Sequence, residues 1–337
     1  MNTRVFSTRE CWMGEWLAGR SVVADGSGFR LATDADPEPS GHLAGTLLPG
    51  FRDAHVHLGL VDGSALPGAG IASVDDFGWD PVIAAGWADD DTLPSARYAG
   101  RLLTAPGGYP TEAGWAPEGA IEPVASSAAA AAAVDRQLDA GASFIKIALN
   151  SGAGPVLDDS TLHAIVGHAH ARGVTVAAHA QGLGQAERAY AVGVDRLAHS
   201  PWSEELSEEL LIAMARRQSW VSTLDIHGWG ERGREFEIAQ QNVRRFASLG
   251  GTVLYGTDLG NGPLPLGINE RELRALANAG LTPDALVASI AGSTIEVATG
   301  QFVRRASYIA EPRTPDTAAW LATASVITTD SLEGLLS

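Results

Sequence analysis

The chain has 337 residues, 45% of them hydrophobic and 19% charged, which is enough to bury a large core. Acidic residues number 40 against 23 basic ones, a formal charge of −17 that argues against nucleic acid or an anionic membrane as the main partner. The single cysteine, Cys11, excludes an intramolecular disulfide framework; with no apolar leader or spanning run, it predicts a cytoplasmic protein acting on a small molecule. A homo-oligomer is left open.

In chain order, the first 46 residues are punctuated by Gly and polar residues and predict short strands and turns. From Thr46 onward, short apolar runs alternate with helical patterns, the βα texture of a parallel sheet. Strands are predicted at 47–57, 71–77, 98–104, 143–149, 174–180, 196–200, 220–226 and 252–258. Helices are predicted at 127–140, 160–172, 183–192, 204–217 and 235–249, several ending at a glycine. Eight strands with helices between them fit an α/β fold of the (β/α)8 barrel type. An open doubly wound sheet is the alternative, but no Gly-rich dinucleotide loop follows the first strand. Irregular stretches at 59–70, 105–126, 228–234 and 260–267 all follow strands, on the face where barrel enzymes keep their sites. The tail from 306 predicts short β pieces, including 320–328.

Residues with metal-ligating chemistry fall at strand ends. His55 and His57 are spaced by two, so on a strand they face one side. Alone, such a pair is as often two ordinary histidines. His179 closes the fifth strand, His199 the sixth and Asp258 the eighth, while Lys146 lies late in the fourth. A barrel brings all six to one mouth. Of the 23 basic residues, 22 are Arg, and Lys146 is the one lysine. It sits between Ile145 and Ile147, a poor place for an unpaired charge.

The stretches 48–58 (Leu-Pro-Gly-Phe-Arg-Asp-Ala-His-Val-His-Leu), 141–147, 176–182 (Val-Ala-Ala-His-Ala-Gln-Gly), 193–199 and 256–258 (Gly-Thr-Asp) resemble the amidohydrolase superfamily, most of all its imidazolonepropionase- and prolidase-related branch. The resemblance covers roughly 47–300. It implies a barrel at 47–302 and a small β-sandwich-like domain from 1–46 plus 303–337. That domain is expected to be trimmed here, since the tail 313–320 only partly echoes the family pattern. The resemblance further implies that His55, His57 and Asp258 hold one divalent ion, and His179 and His199 a second. Zinc suits these ligands. Lys146, as a carbamate, would bridge the two ions; only a neutral amine reacts with carbon dioxide, and burial favours that form. The implied reaction is hydrolysis of an amide, peptide-like or ester bond by a metal-bridging hydroxide, with Asp258 carrying the proton. Asp258 can instead be read as a helix cap.

Further residues carry weaker signals. Tyr109, Trp115 and Trp229 lie on the irregular stretches, His227 directly follows the seventh strand, and all four are expected to contact substrate, with Trp202 from a later loop. Arg232 and Arg234 can bind a substrate carboxylate, or simply be solvated. His163, His168 and His170 read as surface residues, His42 as unconnected, and Asp75 and Asp76 as structural. Three other functions stand beside the binuclear hydrolase. They are a mononuclear deaminase or cyclic amide hydrolase, a lyase forming a Schiff base at Lys146, and an inactive metal-binding protein.

Overall fold

Five strands open the chain: β1 (Arg4–Trp12), β2 (Trp16–Ala18), β3 (Ser21–Asp25), β4 (Gly28–Leu31) and β5 (His42–Pro49). Ten follow: β6 (Arg52–Val56), β7 (Ser73–Asp76), β8 (Ser95–Tyr98), β9 (Leu102–Thr104), β10 (Ile121–Pro123), β11 (Ile145–Asn150), β12 (Val176–Gln181), β13 (Arg196–Leu197), β14 (Ser219–Val221) and β15 (Thr252–Leu254). Two close it, β16 (Ala306–Ile309) and β17 (Ser325–Ile327). The computed structural model describes residues 3–291 and 304–337. The expected domain junction at 302–303 lies outside those residues.

Both ends of the chain meet in one sheet of order β17-β16-β5-β1-β3-β4, with β2 on β1. It has its own apolar layer, including Phe6, Val22, Phe29 and Leu43. Cys11 is buried there, and burial pushes its thiol up to about 11, so it stays an inert apolar filler.

The middle of the chain forms two curled, all-parallel sheets, β6-β7-β8 and β10-β9-β11-β12-β13-β14-β15. Between the first and last of these strands, Ala54 N donates to Tyr255 O at 3.0 Å, Asp258 N to His55 O at 2.8 Å and His57 N to Leu259 O at 2.8 Å. Beside β8, Ser143 N donates to Tyr98 O at 2.8 Å. The architecture is mixed α/β with curled sheets. Its strand ladders form two sheets, where the sequence predicts one eight-strand ring.

Several strand predictions need correction: 196–200 ends at Leu197 and 252–258 at Leu254, so His199 and Asp258 lie on the segments after β13 and β15. The run 47–57 is two strands in two different sheets, broken at Gly50. A Cβ there would stand 2.6 Å from Arg305 O and 2.7 Å from Ala72 Cβ, so only glycine permits this crossing. The run 98–104 breaks at Gly100, which has φ +70° and leaves β8 and β9 in separate sheets. The run 220–226 stops at Val221 and turns into a 3-10 helix, Leu224–Ile226. In the tail, Trp320 belongs to a short helix, Thr317–Leu321, instead of a strand. All these runs are apolar and read alike in one dimension; backbone crowding and pairing partners separate them.

The predicted helices form as Ser127–Asp139, Asp159–Ala171, Gln185–Ala191, Glu208–Ala215 and Arg234–Ser248. Asp158 and Ser207 cap two of them by accepting from Thr161 N and Leu210 N. The strands' period of two sorts the core. Ile145, Ile147 and Leu149 pack in the main apolar layer, which also takes in the helices, while Phe144 joins a small inner cluster with Phe77, Ala177 and Ala198. Lys146 shares the parity of Phe144, which brings it inward.

Candidate metal centre

His55, at 1% exposure, donates from Nδ1 to Ala198 O at 2.7 Å and stacks on Phe77 at 4.2 Å between ring centres. A carbonyl only accepts, so Nδ1 carries the proton and Nε2 presents a lone pair. That lone pair is buried, has no hydrogen-bond partner, and lies 3.1 Å from Asp258 Oδ1. His57 repeats the pattern: Nδ1 donates to Gly78 O at 3.2 Å, and Nε2 stands 3.5 Å from the same Oδ1. His199 Nδ1 lies 2.9 Å from Thr223 Oγ1. His179 Nε2 lies 3.0 Å from the amide oxygen Oε1 of Gln181, which leaves Nδ1 for the cavity.

Two carboxylates and one strained turn hold these rings. Asp53 accepts from His55 N at 3.1 Å, Thr257 N at 2.9 Å and Thr257 Oγ1 at 2.5 Å, tying β6 to the residues after β15. Asp76 accepts from Leu58 N at 2.8 Å and Gly78 N at 3.0 Å. Burial pushes both carboxyls up to about 7. Thr223 has φ +43°, a costly conformation for a β-branched residue, and it supports His199. Asp258 has φ +58°, which Asp tolerates better. Asp75 takes no part in the site. Arg97 and Arg196 reach its carboxylate at 2.6 and 2.8 Å.

Charge follows burial. Burial, then the charge of Lys146, pushes His57 and His179 down to about 3 and His55 well below its usual range. The rings are therefore neutral, the form that binds metals. Burial brings Lys146 down to about 7, against the pull of Asp258 and Asp76, with Nζ 4.5 Å above the Phe77 ring. Asp258 is pushed up to about 6 by burial, while Asn261 Nδ2 donates to it at 2.9 Å.

The donor set fits a divalent ion. His55, His199 and Asp258 offer ligand atoms that all lie within 4.8 Å of one another, and all three are buried. Two ligands at ~2.0 Å in a tetrahedral shell stand roughly 3.3 Å apart, close to the separations from Asp258 to His55 and His57. His57, His179 and Lys146 line the same cavity of about 370 Å³. His55 and His199, which the resemblance assigns to different ions, both belong to that trio.

Tyr109 and Trp115 also line the cavity. Tyr109 stacks on His179 at 4.9 Å, and Trp115 lies 4.7 Å from His57. Trp202 packs on His199 at 5.3 Å. His227 and Trp229 are not among the lining residues. His227 packs behind Trp202 at 4.9 Å, and Trp229 is exposed. Arg232 and Arg234 are exposed. His168 and His170 pair with Asp135 and Asp195 at 2.9 Å, and His42 with Ser7 Oγ at 2.9 Å. Sequence reasoning missed Gln181 as a wall of the cavity, although it is two residues from His179 and so shares its face of β12. Among the described residues, no helix is long and apolar enough to cross a membrane.

No protein-family model and no curated protein matches the sequence. Solved structures do match the fold. A Xaa-Pro dipeptidase with methionine bound in its active site aligns over 100% of both chains with a TM-score of 0.76 and 18% identity. The ochratoxinase of A. niger aligns over 98% of this chain and 95% of its own, with a TM-score of 0.78 and 18% identity. A prolidase complexed with N-methylphosphonate-L-proline aligns over 97% and 98%, with a TM-score of 0.72 and 19% identity. The chain thus has the fold of this dipeptidase, ochratoxinase and prolidase along nearly its whole length.

Proposed function

We propose that this chain is a metal-dependent hydrolase of the amidohydrolase superfamily, cleaving an amide, peptide-like or ester bond. The observation that carries the reading is the buried, unpartnered lone pair of His55 Nε2, 3.1 Å from Asp258 Oδ1. Two acceptors at that distance repel unless a cation lies between them. The fold shared with prolidases and an ochratoxinase supports the reading. On it, 47–302 is one closed barrel unit, and 1–46 plus 303–337 is the attached β unit.

His55, His57 and Asp258 would hold one ion, His179 and His199 a second, and carboxylated Lys146 would bridge them. A divalent ion such as zinc, held there, would supply polarisation of the scissile carbonyl and acidification of water. The chain's own residues do the rest. The four imidazoles stay neutral and oriented, because a backbone or side-chain partner holds the second nitrogen of each. Asp258 takes the proton from the attacking water at Oδ1 or Oδ2 and passes it to the leaving group. Asn261 holds Oδ2 while it does so. Trp115, Trp202 and Tyr109 exclude water from the cavity wall.

The test joins elemental analysis of the purified protein to a hydrolysis screen over dipeptides, N-acyl amino acids, their amides and aryl esters. About two ions per chain and hydrolysis that Asp258→Asn lowers by roughly 10²-fold or more are expected. A metal-free protein, or turnover indifferent to chelators, would sink the reading. One ion with full activity would favour the mononuclear alternative.

A further inference from the structure

Every Arg and the one Lys of this chain lie among the described residues, because 1–2 and 292–303 contain neither. Of all these cations, Lys146 alone lines the cavity of the metal centre, and the reading above assigns it to the centre itself. Arginines on the surrounding segments are engaged elsewhere. Arg271 pairs with Asp225 at 2.8 Å, Arg188 pairs with Asp159 at 2.6 Å, and Arg232 rests 5.9 Å from the Phe236 ring. A substrate carboxylate held in the outer cavity would find no guanidinium, and it would share the space with Asp258. A buried carboxylate without a charged partner is strongly disfavoured.

The wall offers neutral donors instead. Gln181 Oε1 accepts from Asn150 Nδ2 at 2.7 Å and from His179 Nε2 at 3.0 Å. Gln181 lines the cavity, and its Nε2 has no acceptor among the described residues. The Tyr109 hydroxyl accepts from Trp115 Nε1 at 3.3 Å, which leaves its own proton to donate. A phenol keeps that proton at neutral pH. Around these donors lie Leu60, Leu102, Trp202 and Ile226. Such a wall suits an apolar group and a neutral carbonyl oxygen.

Resting on the hydrolase reading, we infer that the substrate is uncharged on both sides of the scissile bond. It is an amide, ester or urea with an apolar or aromatic flank, its second neutral oxygen held by Gln181 Nε2 and the Tyr109 hydroxyl. Substrates ending in a free carboxylate are selected against.

The experiment uses matched pairs on the full-length, metal-loaded protein: N-acetyl-Leu-Pro against N-acetyl-Leu-Pro-amide, and N-benzoyl-phenylalanine against its amide. The uncharged partner should show at least tenfold higher kcat/KM. Equal or better turnover of the free acids would overturn the inference while leaving the hydrolase reading intact. Binding of the same pairs, read from tryptophan fluorescence, decides the matter independently of turnover. At least tenfold tighter binding of the amides supports the inference. Equal binding, tighter binding of the acids, or binding of neither overturns it. Absence of metal and of all hydrolysis would count against the hydrolase reading instead. Ala113→Arg puts a guanidinium on the exposed cavity rim, outside the metal centre. It should shift the amide-to-acid ratio about tenfold toward the acids, and an unchanged ratio would overturn the inference.

Discussion

His55 Nε2 and Asp258 Oδ1 face each other across 3.1 Å, both buried, and each is a hydrogen-bond acceptor. The proton of His55 is on Nδ1, bound to Ala198 O. With its carboxyl at about 6, Asp258 is mostly ionised at neutral pH. The pair is therefore repulsive in the protein alone and attractive around a cation.

That sign gives the first prediction. Exhaustive chelation should lower the melting temperature by roughly 5–10 °C, since a ligand present at a thousand times its Kd stabilises by about 4 kcal/mol. Re-addition of zinc or manganese should restore it. Calorimetry with and without metal is the measurement, and an unchanged transition would refute the expectation.

Lys146 is replaceable by Arg in volume and charge, but not in chemistry, because a guanidinium stays charged and forms no carbamate. Lys146→Arg should reduce bound metal from about two ions to one or fewer and lower turnover by roughly 10²-fold or more. In protein prepared with 13C-bicarbonate, a carbamate resonance should be present in the parent and missing in the variant. Its absence from the parent would remove the bridging role.

Thr223 accepts strain at φ +43° and puts Oγ1 2.9 Å from His199 Nδ1. Thr223→Val keeps the shape and removes the oxygen. Metal affinity should fall by about 10–100-fold, the usual effect of losing a partner behind a histidine ligand. Competition with a chromophoric chelator reads this directly, and unchanged affinity would show that Thr223 does not orient the ring.

Glu272 lies away from the metal centre and caps the turn after β14. Its carboxylate accepts from Leu224 N at 3.0 Å and Asp225 N at 2.7 Å. Burial raises it from 4.5 to about 7. A folded-state pKa above the unfolded one means that its contribution is fully present below pH 4.5 and is lost as pH rises through 7. Denaturant unfolding should therefore show the parent losing up to about 3 kcal/mol relative to Glu272→Gln between pH 5 and 8. A pH-independent difference would contradict the assignment.

Much of the candidate site is legible in one dimension because strand periodicity is local. His55 and His57 share a face by their spacing, and the ring centres indeed lie 5.4 Å apart. Lys146 alternates with Ile145 and Ile147, so it must face opposite to the helix-packed layer. Less of the loop chemistry was legible. Trp229 and His227 look like Trp115 and Tyr109 in sequence, yet only the latter two reach the cavity. Gln181 was hidden because its value lies in which of its atoms Asn150 and His179 already occupy.

The amino-acid sequence by itself determined the residue types at the strand ends, the helices between strands, and the one lysine between two isoleucines. These depend on side-chain chemistry and on periods of two and 3.6, which neighbours along the chain impose. Tertiary structure alone decided where apolar runs break, at Gly50 and Gly100, because those breaks answer to Arg305, Ala72 and the pairing of separate sheets. It also decided that no arginine enters the cavity. Each guanidinium goes to whichever carboxylate, ring or stretch of solvent the fold brings nearest, and that choice is made between residues far apart in the chain.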